Sequence, residues 1–207
     1  DFDFAKLSIK NRSAMGNILT KYSIRKITLK QAGKSTLGGV DLWYNPTLVR
    51  LNRDERGDYL GSFEANDLIL AIYKDGSYEL TSFDLTNHYE PNDTLLIKKF
   101  DPALIVTAVY LEGTQKLYYI KRFVIETSTT DKKFSFISDT KGSKLVLVTT
   151  DERPNLYLLR QAVAKGAFEE EERAVEELVE VRGWKAIGQK LNYAKIKELK
   201  WLAPTLT

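Results

Sequence analysis

The sequence predicts an all-β fold of about four four-stranded blades in a propeller-like repeat, on the strength of three observations. The first is Asp67 to Phe83, DLILAIYKDGSYELTSF, where two alternating β-prone runs flank Asp75-Gly76. An Asp-Gly dipeptide between such runs marks a tight hairpin, because the turn needs positive φ and glycine takes it without steric cost. The second is recurrence. Lys6 to Tyr22 (turn Asn11 to Gly16), Val106 to Phe123 (turn Glu112-Gly113) and Lys144 to Gln161 (turn Asp151 to Asn155) read the same way. The third is spacing. Ile18, Tyr78, Leu117 and Leu156 align on the second strand, and after a longer first interval they repeat about every 40 residues, the period of blades that bury their faces against one another.

Taken in order, the repeat units run approximately 1–66, 67–105, 106–143 and 144–207, forming one domain. Unit one continues from its hairpin into Ser23 to Val40, where Ile24, Ile27 and Leu29 alternate towards a core while Arg25, Lys26, Lys30 and Lys34 face out. The run Gly33 to Gly39 then bends the chain away from regular pairing. The long first interval requires an insertion, and Leu42 to Gly61 is the segment that supplies it, with an exposed turn at Asp54 to Asp58. Unit two passes through the polar loop Asp84 to Asp93 into a strand at Leu95 to Phe100 and a turn at Asp101-Pro102. In unit three, Phe134 to Ile137 is the equivalent of that strand, and Asp139 to Ser143 turns into unit four. There, Phe168 to Val181 reads in two ways. It is an amphipathic helix with Phe168, Val175, Leu178 and Val179 on one side, or an acidic loop followed by a strand at Leu178 to Arg182. Repeat logic favours loop and strand, with room for a short helix within 168–180, although local helix propensity is high. Lys195 to Leu202 closes the chain as a strand with Trp201 as a core anchor.

Composition narrows the chemistry. The chain has no cysteine and one histidine, His88, in a polar loop, so thiolate chemistry is excluded and nucleophilic triads or zinc sites have almost nothing to work with. No Gly-rich phosphate loop precedes a helix. No apolar run approaches the ~18 residues of a membrane span. Opening on DFDFAK, without an initiator Met or signal peptide, the chain is expected to be an excised part of a larger protein. The hairpin aromatics Tyr73, Tyr78, Phe83, Tyr110, Tyr118, Tyr119 and Phe123 are expected in packing between blades rather than in base stacking.

The formal charge of +3 conceals a segregation. Glu169 to Glu172 with Glu176, Glu177 and Glu180 puts seven carboxylates in one segment, which leaves the remainder clearly basic. The cations fall at hairpin ends and between hairpins: Arg12, Lys21, Arg25, Lys26, Lys30 and Lys34, then Lys98, Lys99, Lys121, Arg122, Lys132 and Lys133. A field spread over several repeats suits a polyanion that touches several blades at once. A charged rim kept for solubility fits the same distribution.

The units ILTKYSIRKI, ELTSFDLTNH, YIKRFVIET and LLRQAVAK, with RSAMGNILTK (12–21), STLGGV (35–40) and VRGWKAIGQKL (181–191), resemble the C-terminal β-pinwheel found in the A-type subunits of bacterial type IIA topoisomerases. The likeness is strongest to topoisomerase IV of the Bacteroidetes kind and covers essentially the whole chain. It implies a β-pinwheel in which each blade lends a strand to its neighbour, and a basic rim that binds and bends double-stranded DNA through sequence-tolerant phosphate contacts. It adds Arg182 and Lys185 to the contact set. Gyrase carries a Gln-x-Arg-Gly-Gly-x-Gly loop for chiral wrapping. Here Gln31, Gly33, Lys34, Gly38 and Gly39 in one loop, and Arg182, Gly183 and Gly188 in another, keep only parts of it. The departure favours topoisomerase IV over gyrase-type wrapping. The resemblance also implies a non-catalytic, monomeric domain of a bacterial cytoplasmic, nucleoid-associated enzyme. Its partners would be the remainder of its own polypeptide and the ATP-binding, B-type partner of the topoisomerase. The parent's ATP would sit on that partner and its Mg2+ at the cleavage site, with no cofactor in this chain. A propeller-like protein-interaction scaffold is the reading from a different class.

Overall fold

The hairpin at Asp75-Gly76 forms as expected and sits at the centre of the apolar packing. In the computed structural model, which describes residues 9–16, 18, 20–26, 39–162, 167–193 and 195–202, the chain divides into two compact units, Asp1–Lys34 and Ser35–Thr207. In the first unit the described residues hold a turn at Arg12 and Ser13, closed by the Ala14 N–H on the Asn11 carbonyl at 3.1 Å, and they carry no strand. Of the hairpin expected at Lys6 to Tyr22, the described residues form the turn and no paired strands; residues 6–8, 17 and 19, and Ile27 to Leu29 of the run after it, lie outside the described residues.

In the second unit the chain builds sheets by one rule. A first strand pairs with the second in a hairpin, and a later strand returns to the first strand's other edge. β1 (Val40–Asn45) pairs with β2 (Arg50–Asn52) and then with β3 (Asp58–Phe63). The segment expected as an insertion, Leu42 to Gly61, is therefore a sheet in its own right. β4 (Ile69–Tyr73) pairs with β5 (Ser77–Thr81) and receives β6 (Thr94–Lys99). β7 (Ile105–Leu111) pairs with β8 (Tyr118–Val124). The chain then sends β9 (Phe134–Ser135) back to the edge of β5, and β10 (Lys144–Thr149) returns to β7. β11 (Asn155–Gln161) pairs with β12 (Phe168–Ala174). After the short helix α1 (Val175–Leu178), β13 (Val181–Gly183) and β14 (Gln189–Lys190) both go back to β8. Finally β15 (Ile196–Leu202) returns to β11.

This is an all-β pinwheel with strand exchange. The second and third sheets each take an outer strand from the unit that follows, and the first takes a single bridge, Arg50 to His88, beside which the Tyr89 N–H meets the Val49 carbonyl at 3.3 Å. The frame departs from the sequence expectation beyond the insertion as well: Phe134 to Ile137 is not the equivalent of Leu95 to Phe100, because β6 returns to β4 whereas β9 caps β5 of the preceding sheet. Lys144 to Gln161 is not a hairpin, because β10 closes the third sheet and β11 opens the fourth. The acidic run is neither helix nor loop but strand β12; only Val175–Leu178 is helical, and β13 follows close to the strand expected at Leu178 to Arg182.

Alternation explains the packing. β4 is buried at all five positions because both its faces meet another sheet. Ile69, Ala71 and Tyr73 join Leu42, Leu51 and Phe63 in one core, while Leu70 and Ile72 join Val106, Ala108 and Phe123 in the next. A third core sets Val109 and Ile120 against Leu156, Val175 and Leu191, with Trp201 packed at its margin. Each fully buried Leu, Ile or Phe contributes roughly 2 kcal/mol relative to its exposed state. The hairpin aromatics do go into packing: Tyr73, Tyr78, Tyr110 and Phe123 are buried, and Phe83, Tyr118 and Tyr119 are half-buried against the cores.

Gly76 has φ +79, and a Cβ added there would press into the side chain of Ile137, just past β9. Its carbonyl accepts the Phe136 N–H at 2.9 Å, so the turn also seats the incoming strand. Gly76→Ala is expected to lose about 1 kcal/mol or more in urea denaturation, from the left-handed backbone and from displacement of Ile137. An unchanged midpoint would show that the turn does not hold β9.

Candidate nucleic-acid interface

Three kinds of basic residue emerge when the expected contacts are followed to their places. The first kind is exposed. Arg12, Lys21, Arg25 and Lys26 of the first unit are all open to solvent. In the second unit Lys98 is exposed on β6, its Nζ donating to Thr150 Oγ1 at 2.9 Å. Lys132, Lys133 and Lys185 are exposed as well, and each ammonium stands over a ring: Lys132 5.3 Å from the Phe134 centroid, Lys133 3.8 Å from Tyr73 and Lys185 5.2 Å from Trp184. Such placement steadies the side chain and leaves the charge facing water. Arg182 is exposed on β13, and its 4.0 Å approach to the equally exposed Glu180 constrains it little.

The second kind is half-buried and engaged. Lys99 on β6 reaches the first sheet, donating at 2.6 Å to the Ser62 carbonyl and at 2.6 Å to Asp67 Oδ2, with its Nζ 5.1 Å from the centre of the Phe63 ring. Burial draws the Asp67 carboxyl up, but the Lys99 ammonium and the Glu64 N–H outweigh it and leave it below the ordinary carboxylate range. Lys99 is a brace between two sheets.

The third kind corrects the expectation of an exposed rim. Lys121 and Arg122 are 2% and 6% exposed. β8 lies between β7 and the returning β13 and β14, so both its faces and both its edges are covered. Lys121 faces the second sheet and gives its three protons to three carbonyls: Phe136 at 2.6 Å, Trp184 at 2.7 Å and Ala186 at 2.6 Å. The rings of Phe123 and Phe136 lie 5.0 and 6.0 Å from its Nζ. Arg122 faces the fourth sheet, donating to the Glu152 carbonyl at 2.8 Å with Glu176 at 3.7 Å, while its Nε has no partner. The alternating pattern could not reveal this, because a strand covered on both sides offers no solvent face.

Of the two partial loop motifs, Gln31, Gly33, Lys34 and Gly38 lie outside the described residues, as does Lys30. Gly39 is exposed just before β1. Arg182 and Gly183 lie on β13 and Gly188 in the connection to β14, of which Trp184 to Ile187 form one wall of a cleft of about 670 Å³. Its other wall is the segment from Lys133 to Thr140, and its lining mixes Tyr119, Phe134 and Trp184 with Lys133, Lys185, Glu112 and Asp139. Lys133 and Lys185 thus come together across the strands that two different units lend to their neighbours, a juxtaposition the sequence separates by some fifty positions. Two of the acidic residues pair within their own sheet, Glu169 with Arg160 at 2.5 Å and Glu171 with Arg173 at 2.6 Å, while Glu176 approaches Arg122 and Glu180 approaches Arg182. Among the described residues no group of three or more His, Asp or Glu side chains could hold a metal ion, and no helix is long and apolar enough to cross a membrane.

Residues 50–203 match the family model of the topoisomerase C-terminal domain of Bacteroidota, and the chain belongs to that family. A comparison with curated proteins returns no match.

Burial pushes the Lys121 ammonium down to about 8, so at neutral pH it still carries three protons for its three carbonyls. Lys121→Met keeps the volume and leaves those carbonyls unpaired, and a loss of about 3 kcal/mol or more is expected in urea denaturation. In wild type the folded side chain releases its proton near pH 8, whereas the unfolded chain holds it to the ordinary value of 10.5. Across that window the unfolded state binds more protons, so this group makes folding more favourable as pH rises. The stability difference between wild type and Lys121→Met should therefore widen between about pH 8 and about pH 10. A difference that stays flat would contradict the buried ammonium.

Proposed function

We propose that this topoisomerase C-terminal domain binds and bends duplex DNA through phosphate contacts spread over its exposed cations. Its role would be to present a DNA segment for passage by the parent enzyme, in the manner of topoisomerase IV. The observation that carries the reading is the display of Lys132, Lys133 and Lys185 on aromatic rings at the exchanged strands, with Lys98 and Arg182 also exposed. Arg12, Lys21, Arg25 and Lys26 of the first unit extend the set, and Lys30 and Lys34 belong with them by sequence. Contacts of this kind position a duplex without reading its bases, which suits an enzyme that selects DNA by geometry. Lys99, Lys121 and Arg122 support the surface from within. Breaking and rejoining DNA, and its need for ATP and Mg2+, would reside in the rest of the enzyme and its ATP-binding partner.

Binding to a random-sequence duplex should weaken steeply as salt rises. Lys133→Glu and Lys185→Glu should each lower affinity and reduce the slope of log K against log salt by about 1, because each removes one phosphate contact. Both side chains are exposed, so thermal melting should be unchanged. An affinity indifferent to salt, or to both charge reversals, would remove the duplex-binding reading and leave a protein-interaction scaffold.

A further inference from the structure

The connection between β13 and β14 is held far more tightly than a surface turn requires. Its carbonyls at Trp184 and Ala186 are taken by the buried Lys121 Nζ, at 2.7 and 2.6 Å. The next carbonyl, Ile187, accepts the Tyr110 hydroxyl at 2.8 Å. Trp184 packs edge-on against Tyr78 at 5.8 Å and Phe134 at 5.7 Å. Gly188 completes the turn at φ +99, where an added Cβ would meet the Ile120 carbonyl at 2.6 Å. Both ends of the connection are sheet-paired to β8.

At the tip of this clamped turn stands an isoleucine with its side chain in water. Ile187 is 70% exposed, and it borders the cleft shared with Lys133 and Lys185. Arg182, Lys185 and Lys190, on the same short connection and its flanking strands, are exposed too. Exposing an isoleucine contributes nothing to folding, and a turn residue would serve the backbone better. Its β-branched side chain is stiff about χ1, and its main chain is pinned, so it cannot fold back when pressed. Phe168 is another large exposed apolar side chain, but it lies beside Glu169 to Glu172 and would meet DNA with like charge.

We propose that Ile187 is an apolar wedge that enters a base-pair step of bound duplex from the minor groove and kinks it, while Lys185 and Arg182 hold the flanking phosphates. Isoleucine is among the residues that architectural proteins use to unstack a step, and the kink then lets the duplex follow a curved basic surface. The bend assigned to this domain is thereby concentrated at one residue. This inference rests on the duplex-binding reading above.

The full 207-residue chain is tested on duplexes that carry end-attached fluorophores for bending and 2-aminopurine at successive positions for unstacking. Wild type should bring the ends together and brighten 2-aminopurine. With Ile187→Ala the brightening should disappear and the bend fall by about 20° or more, while the salt dependence of binding persists. Ile187→Leu, which keeps a wedge, should restore both signals. Lys185→Glu should instead lower affinity and salt slope. Equal bending and brightening by wild type and Ile187→Ala would overturn the wedge and leave duplex binding standing. Failure of wild type to bind duplex even at low salt would overturn both.

Discussion

One buried ammonium, Lys121, satisfies backbone that the strand-exchange design leaves open. Where β13 stops and β14 begins, the chain bulges off β8 and its carbonyls lose their ladder partners. The carbonyl of Phe136, just past β9, is among those that Lys121 takes. Buried carbonyls without donors are costly, and an apolar side chain could not supply them. Lysine brings three protons on a stem long enough to reach, and three carbonyls from two borrowed segments receive them. Burying a charge is tolerable here because every proton is spoken for and two aromatic faces cover the remainder.

The same residue links the cores to the surface. Segments that lend strands to a neighbour would be the easiest parts of the molecule to peel away, being short and at sheet edges. They also carry or adjoin the exposed Lys132, Lys133 and Lys185. Lys132 and Lys133 immediately precede β9, and Lys185 sits in the β13–β14 turn whose carbonyls Lys121 grips. An exposed side chain keeps its place only if its backbone does, so the interior cation steadies the positions of the exterior ones.

Much of this was legible in the sequence, and the failures have physical causes. The hairpins at Asp75-Gly76 and Glu112-Gly113 were readable because turn chemistry and period-2 patterning agree there. The strand exchange followed from family resemblance, not from periodicity, since a two-residue strand such as β9 has no pattern of its own. Lys144 to Gln161 looks like a hairpin because two strands with a polar turn between them are compatible with pairing to each other or to separate neighbours. Contact between β10 and β7 is decided by burial of Leu145 against the core at Val106 and Tyr110, which no local signal announces. Glu169 to Glu172 hid β12 because propensity argues for helix and repeat logic for a loop, whereas ladder pairing along the whole of β11, with Glu169 against Arg160, prevails. Lys121 and Arg122 were read as rim residues for the reason that most charged residues are, and only the covering of β8 on all sides reverses it.

Strand exchange also has a consequence for biosynthesis. As the chain leaves the ribosome, the second sheet acquires β4, β5 and β6 well before Phe134 and Ser135 have been made, and the third waits for Val181 to Lys190. Each nascent sheet thus spends an interval with an uncapped edge, a template for pairing with another polypeptide. The wait spans the synthesis of dozens of residues, and β5 is capped only after the whole β7–β8 hairpin has emerged. Order of translation and order of closure therefore run out of step, and a chain stalled before residue 134 presents an adhesive edge rather than a finished half-molecule.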